Sequence, residues 1–336
     1  MAAFMILLGV VALTALTSVY YYGTNIEEGR LYNTYLNNRS KSNNNTIRHN
    51  NTIDDNKYIF ETGSQNPKLW LYYDQSEVNS RYWSDFGARS SRVLNAPFLN
   101  LCYESIVMKN GQNYTVNIIA GLSDLAILLG GWQELPKSLQ NPIAPVGEAE
   151  LNYIRSTVLR RFGGLWVNPS CLFIRPLLKL SNKVVFFGTD KDETYSDVYG
   201  TPVPGTDIMF SPAAENPIFI ELEHLALERI EKREGGRQFR KDIKWDMKDI
   251  MDKHHADNMY LPNTEFARKS NGKRIQLEDL LGSNDIHVNE DCIYIPFDWE
   301  ELQKRRNFGW FLRMSETQIL ESNLYISRLF LLSTIN

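Results

Sequence analysis

The chain is poor in cysteine. Cys102, Cys171 and Cys292 are odd in number, far apart and without C-x-x-C spacing, so neither a zinc ribbon nor a dithiol redox centre is expected. A disulfide framework is not indicated either, although one bridge between two of the three stays open. A broad basic field is also missing. The net charge is -4, which argues against nucleic acid as a partner. No phosphate-cradling Walker loop, nucleophile elbow or dinucleotide-binding glycine fingerprint occurs. Before Glu27 there is no ionisable side chain apart from tyrosines.

What is present is enough apolar sequence for one substantial core and a satellite subdomain: 336 residues, 43% hydrophobic and 12% aromatic. The first part is a long apolar run. Phe4 to Tyr22 has close to the ~20 residues that a helix needs to cross a bilayer, with Tyr20, Tyr21 and Tyr22 where an aromatic belt would lie. We therefore expect a transmembrane signal anchor over 1–22, contacting the membrane through 4–22. A cleaved signal peptide competes, but the basic n-region is missing and Ala15-Leu16-Thr17 is a poor cleavage site. A buried terminal helix would need apolar surroundings. Neither flank has the Lys and Arg excess that would orient the anchor.

Residues 23–57 are rich in Asn and poor in apolar side chains after Tyr35, so they cannot recover the entropy of ordering and read as a flexible stalk. Asn38-Arg39-Ser40, Asn44-Asn45-Thr46, Asn50-Asn51-Thr52 and Asn113-Tyr114-Thr115 are glycosylation sequons, a pattern that Asn-rich sequence also generates by chance. Anchor, stalk and globular part form the layout of a single-pass type II membrane protein of a secretory or viral membrane.

The globular part divides into an α/β domain over 58–235 and a mainly helical subdomain over 236–336. Strands are expected at 68–74, 114–120, 164–167, 171–174, 183–188 and 207–210. Helices are expected from Asn95-Ala96-Pro97 to Asn110-Gly111, from a Ser123-Asp124 cap to Leu129, and over 147–162 and 216–233. Alternating strands and helices indicate a mainly parallel sheet flanked by helices, with ligands bound beyond the strands' carboxyl ends.

The stretch from Leu151 to Pro176 carries the strongest signal. Leu151, Ile154, Val158 and Phe162 form a core-facing stripe, with Gly163 as natural C-cap. Arg155 lies one position off the stripe; it is either a ligand-binding cation or an interface Arg covering apolar surface with its stem. Arg160-Arg161 reads as a solvated face. A short strand then ends at Asn168-Pro169-Ser170.

The segment from Ala149 to Leu177, A-E-L-N-Y-I-R-S-T-V-L-R-R-F-G-G-L-W-V-N-P-S-C-L-F-I-R-P-L, resembles the centre of the capsular polysaccharide synthesis family, related to glycosyltransferase family 32. That pattern is roughly S-D-x-x-R-x-x-x-L-x-x-Y-G-G-x-W-x-D-x-[TD]. Pro67-Lys68-Leu69-Trp70 is similar to the family's first strand, and Leu101 to Ser105 followed by Asn117-Ile118-Ile119 to its next helix and strand. The C-terminal Trp310 to Ser315 is similar to members from large DNA viruses. The resemblance covers residues 66 to 230.

It implies a GT-A-like (Rossmann-like) fold and transfer of a sugar from a nucleotide-sugar donor to a glycan acceptor, in the manner of polysaccharide biosynthesis. It implies Trp70, Asn152, Arg155, Gly163, Gly164, Trp166, Asn168 and Ser170 as donor-binding positions. The Mn2+ or Mg2+ of such enzymes would fall to Asn168 and Ser170. Here the chain departs from the pattern, because Asn152, Asn168 and Ser170 stand where the family has acids or, at the last, an acid or hydroxyl. These cations select anionic oxygens, and losing one preorganised electrostatic group commonly costs ~10²–10³ in rate. Pro169 further restricts the backbone.

Two expectations follow: a glycosyltransferase that is weak or works without this metal, holding diphosphate by Arg155 or Arg175, or an inactive structural or glycan-binding descendant. Asp190, Asp192 and Asp207 are candidate replacement acids or ordinary loop and cap acids. The run Asp252-Lys253-His254-His255-Ala256-Asp257 offers a further metal-ligand pattern at a polar helix end. Glu221, Glu223, His224 and Glu228 read as a solvated helix face, and Leu324 to Ile335 is too short and interrupted by Arg328 to span a bilayer.

Overall fold

A computed structural model describes residues 66–73, 97–144, 146–177, 180, 182–189, 203–234, 243–255, 257–262, 268–297, 302 and 305–333. The anchor and stalk expected over 1–57 lie outside the described residues, as do Asp74, Asp190, Asp192 and three of the sequons. Among the described residues no helix is long and apolar enough to cross a membrane.

The central element is a six-stranded sheet in the order β2-β1-β3-β6-β5-β7. Its strands are β1 (Lys68–Tyr72), β2 (Thr115–Ile119), β3 (Gly164–Val167), β5 (Val184–Thr189), β6 (Val203–Ser211) and β7 (Asn258–Pro262). β1 pairs parallel with β2 and β3, β5 pairs parallel with β7, and β6 runs antiparallel to both β3 and β5. Five strands therefore share a direction and β6 opposes them, which makes this a mixed, mainly parallel α/β sheet as expected. The expected strand at 171–174 is β4 (Cys171–Phe173), and it leaves the main sheet to pair antiparallel with β8 (Tyr294–Pro296).

Period-two alternation along the strands builds both faces. Trp70, Tyr72, Trp166, Phe186 and Met209 point to one face. There they meet α2 (Leu122–Leu129), α3 (Glu148–Phe162), α4 (Pro217–Glu234) and α5 (Ile243–Lys253). Leu69, Leu71, Leu165, Val167, Val185, Phe187, Ile208 and Phe210 point to the other. That face is covered by Ile106 of α1 (Pro97–Asn110) and by Cys171, Phe173 and Tyr294 of the small sheet. A further apolar layer joins α1 and the small sheet to α6 (Leu277–Leu280), α7 (Glu316–Glu321) and α8 (Tyr325–Ser333).

The boundary drawn at residue 235 runs through this architecture. β7 extends the main sheet and β8 completes the small one, so residues beyond 236 supply strands as well as helices. Helix starts also differ in detail. α2 has Gly121 as N-cap, not Ser123 or Asp124; Asp124 sits in the first turn and its carboxylate accepts from the Ala120 N–H at 3.0 Å. Gly130, left-handed at φ 101°, closes the same helix.

Candidate functional site at the carboxyl end of β3

Asn168 is the first residue beyond β3, at the carboxyl end of a central strand, the location where open α/β sheets bind ligands. Its backbone N–H donates to the Asp207 carbonyl at 2.7 Å, and its Nδ2 donates to Asp207 Oδ1 at 3.0 Å. Its Oδ1 turns the other way and accepts from both the Ser170 N–H (3.1 Å) and the Ser170 hydroxyl (3.0 Å). The Cys171 N–H closes the turn on the Asn168 carbonyl at 3.2 Å. Asn-Pro-Ser thus folds as an Asx turn, in which the side-chain oxygen imitates a backbone acceptor and Pro169 supplies a fixed φ. The turn redirects the chain from the main sheet into β4.

Arg155 points into the same region from α3, and it is 1% exposed. Its Nη1 donates to the Thr206 carbonyl at 2.6 Å, its Nε to the Leu151 carbonyl at 3.2 Å, and its Nη2 to Glu148 Oε1 at 2.9 Å. Thr206 immediately precedes Asp207. The guanidinium is therefore a buried, paired charge bound to the strand that carries the acid.

The other donor-binding candidates fall in two further places. Gly163 and Gly164 lie at the amino end of β3, opposite Asn168. Both have left-handed φ, +62° and +96°, and a Cβ on Gly164 would stand 2.5 Å from the Lys68 carbonyl oxygen. Gly164 thus permits the close approach of β3 to β1, whereas a Cβ on Gly163 would meet the Ala213 backbone at 3.0 Å. Trp70 and Trp166 are register partners on those strands and are buried under α3. Trp70 Nε1 donates to the Gly163 carbonyl at 2.8 Å, while Trp166 Nε1 finds no acceptor among the described residues. Asn152 is buried one turn before Arg155. Of the candidates, then, Arg155, Asn168 and Ser170 converge, with Asp207 between them.

Several surrounding expectations change. Arg160 and Arg161 are not a simply solvated face: Arg160 lies in an ion pair with Glu223 at 2.7 Å, and Arg161 donates to Glu134 at 2.7 Å and to the Leu129 carbonyl at 3.0 Å. Arg175 is exposed and near Cys292. His254 and Lys253 both bond Glu221, at 2.9 and 2.7 Å, and these hydrogen bonds hold its carboxyl below its ordinary value. No group of three metal-ligating side chains occurs among the described residues. Burial pushes the Cys171 thiol well up, and the nearby Asp207 charge adds to it, so a thiolate ligand is unfavourable there.

The described donor set does not fit an Asp-x-Asp dication centre. It holds one carboxylate, a turn-bound amide oxygen and a hydroxyl that donates inward, whereas Mn2+ and Mg2+ favour several anionic oxygens. Glu148 and Thr206 were not picked out by sequence reasoning. Glu148 precedes the Arg by seven positions, two helical turns, which is the signal that could have found it.

No protein-family model matches the chain, and the search of curated proteins returns no match.

Proposed function

We propose that the protein is a membrane-anchored, glycosyltransferase-like protein of the polysaccharide synthesis type. In this reading it recognises a sugar at the carboxyl end of β3 and has given up metal-dependent transfer. The observation that carries the second half is the Asn168 side chain. Both of its polar atoms are engaged, one by Ser170 and one by Asp207, so neither is presented to a dication. The mixed sheet, with the polar turn at a central strand's carboxyl end, supports the first half.

A competing reading keeps transfer without this metal. The half-buried Asp207 favours it, because one carboxylate remains beside the turn.

The full chain in detergent, incubated with a panel of nucleotide sugars and Mn2+, separates the two. We expect no nucleoside diphosphate release above buffer and no Mn2+-dependent shift of the thermal midpoint. Asn168→Asp with Ser170→Asp places new carboxylates against Asp207, a like-charge cluster that a dication relieves. Mn2+ at 100 times its Kd should then stabilise the double variant by about 2.7 kcal/mol. Turnover by the unmodified chain would establish the competing reading. A double variant indifferent to Mn2+ would show that these positions are not the remains of a metal motif.

A further inference from the structure

We infer that Arg155 and Glu148 form a positioning brace that sets the Asp207 carboxylate, rather than a ligand-binding pair. The β5–β6 ladder is irregular. On β5 one residue, Phe187, separates Phe186 from Gly188; on β6 their partners Met209 and Pro204 are separated by Gly205, Thr206, Asp207 and Ile208. β6 therefore bulges away from β5 where the acid sits. Bulges leave ladder groups unpaired and re-aim side chains. On the β3 side Asn168 N–H takes the Asp207 carbonyl. The preceding carbonyl, that of Thr206, is taken by the Arg155 guanidinium at 2.6 Å.

A charged donor makes a stronger bond than a neutral one, but a cation so buried needs a counter-charge. Glu148 provides it at 2.9 Å from the rim of the core, its own side chain 55% exposed. Glu148 opens α3, where a carboxylate also suits the positive end of the helix dipole. The chain of dependence is thus Glu148 to Arg155, Arg155 to Thr206, and Thr206 to Asp207 and its bond with Asn168. That Asp207 faces a sugar rests on the function proposed above; the brace itself does not.

Two measurements on the full chain in detergent test it: hydrogen exchange across 203–211, and the amide-proton resonances of the Asn168 side chain, assigned by their loss in Asn168→Asp. Glu148→Gln removes the charge from an exposed position and should leave the fold intact. Exchange within 205–208 should accelerate about tenfold, the loss of one charge-assisted hydrogen bond's stabilisation. The Asn168 side-chain resonances should move, while those of Asn113, bonded to the Leu177 carbonyl, stay in place. Arg155→Lys keeps the charge but not the fork and should show a larger effect. Asp252→Asn, which breaks an exposed pair with Lys248 on α5, serves as the control and should change neither.

Unchanged exchange and unmoved Asn168 resonances in Glu148→Gln would overturn the brace, whatever becomes of Arg155→Lys. Titrating the unmodified chain with nucleotide sugars tests the sugar site separately. Binding there without the Glu148→Gln response overturns the brace alone, and the response without binding overturns the sugar site alone.

Discussion

At the residue scale, Gly164 shows how one sequence signal can have a structural reading beside a functional one. The Gly-Gly pair stands out in the sequence as part of a donor-site pattern, and at the amino end of β3 the φ of +96° gives Gly164 a packing role of its own. Gly164→Ala should lower stability by about 1–3 kcal/mol from the backbone conformation, with a further cost from a Cβ 2.5 Å from the Lys68 carbonyl oxygen, which is backbone and cannot swing aside. Denaturant unfolding of the variant would measure this. A loss below about 0.5 kcal/mol, the range of a surface substitution, would mean that β3 and β1 do not approach so closely. Arg155 carries the opposite lesson. Its place one position off the apolar stripe reads as an edge, but Glu150 and the run Asn152 to Leu159 are all buried on α3. A single stripe in the sequence does not report that a helix is covered on most of its circumference.

At the element scale, the strands and helices that local pattern determines were legible: α3, β3 and α4 fall within a residue of their expected bounds. What was not legible depends on partners distant in sequence. Alternation along 207–210 indicates a strand, but not that β6 begins at Val203, reverses direction and bulges beside Phe187. Nor does the apolar run at Cys171 disclose that its partner is Tyr294–Pro296. The Asn168 turn was visible only as missing acids, because an Asx turn and a degraded metal motif use the same residue types.

Asn110 gives a test at this scale. Fully buried at the end of α1, it donates to the Ile106 carbonyl at 3.0 Å and accepts from the Leu177 N–H at 2.9 Å. The segment leaving β4 is thereby tied to α1. Asn110→Ala leaves a buried N–H without its acceptor and should cost about 1–3 kcal/mol, whereas Asn110→Asp, which preserves that acceptor, should restore part of the exchange protection at Leu177. Equal protection in both variants would show that the tie does not hold this segment.

At the scale of the whole molecule, residues on both sides of position 235 share the two sheets, and the alkaline limit follows from weak acids held in both apolar layers. Tyr114, immediately before β2, is pushed from an ordinary 10.0 to about 12 by burial, partly offset by a hydrogen bond with the Leu180 backbone. Burial also raises Tyr103 on α1 to about 12, with a smaller contribution from Glu104. Tyr325 on α8 reaches about 12, again chiefly through burial. Cys292, ordinarily 9.0, is raised to about 12 for the same first reason.

In each case the folded chain holds the proton more tightly than the unfolded chain does. The stabilising contribution is complete below the unfolded value and disappears as pH climbs through the folded one. Unfolding should therefore set in above about pH 9 to 10 and be complete by about pH 12, with loss of far-ultraviolet ellipticity coinciding with phenolate absorbance. Because these groups lie in both the layer against the sheet and the outer layer of α7 and α8, the two layers should fail together in one transition. Phenols titrating freely near 10 while ellipticity persists would show that these tyrosines are reached by water in the folded state.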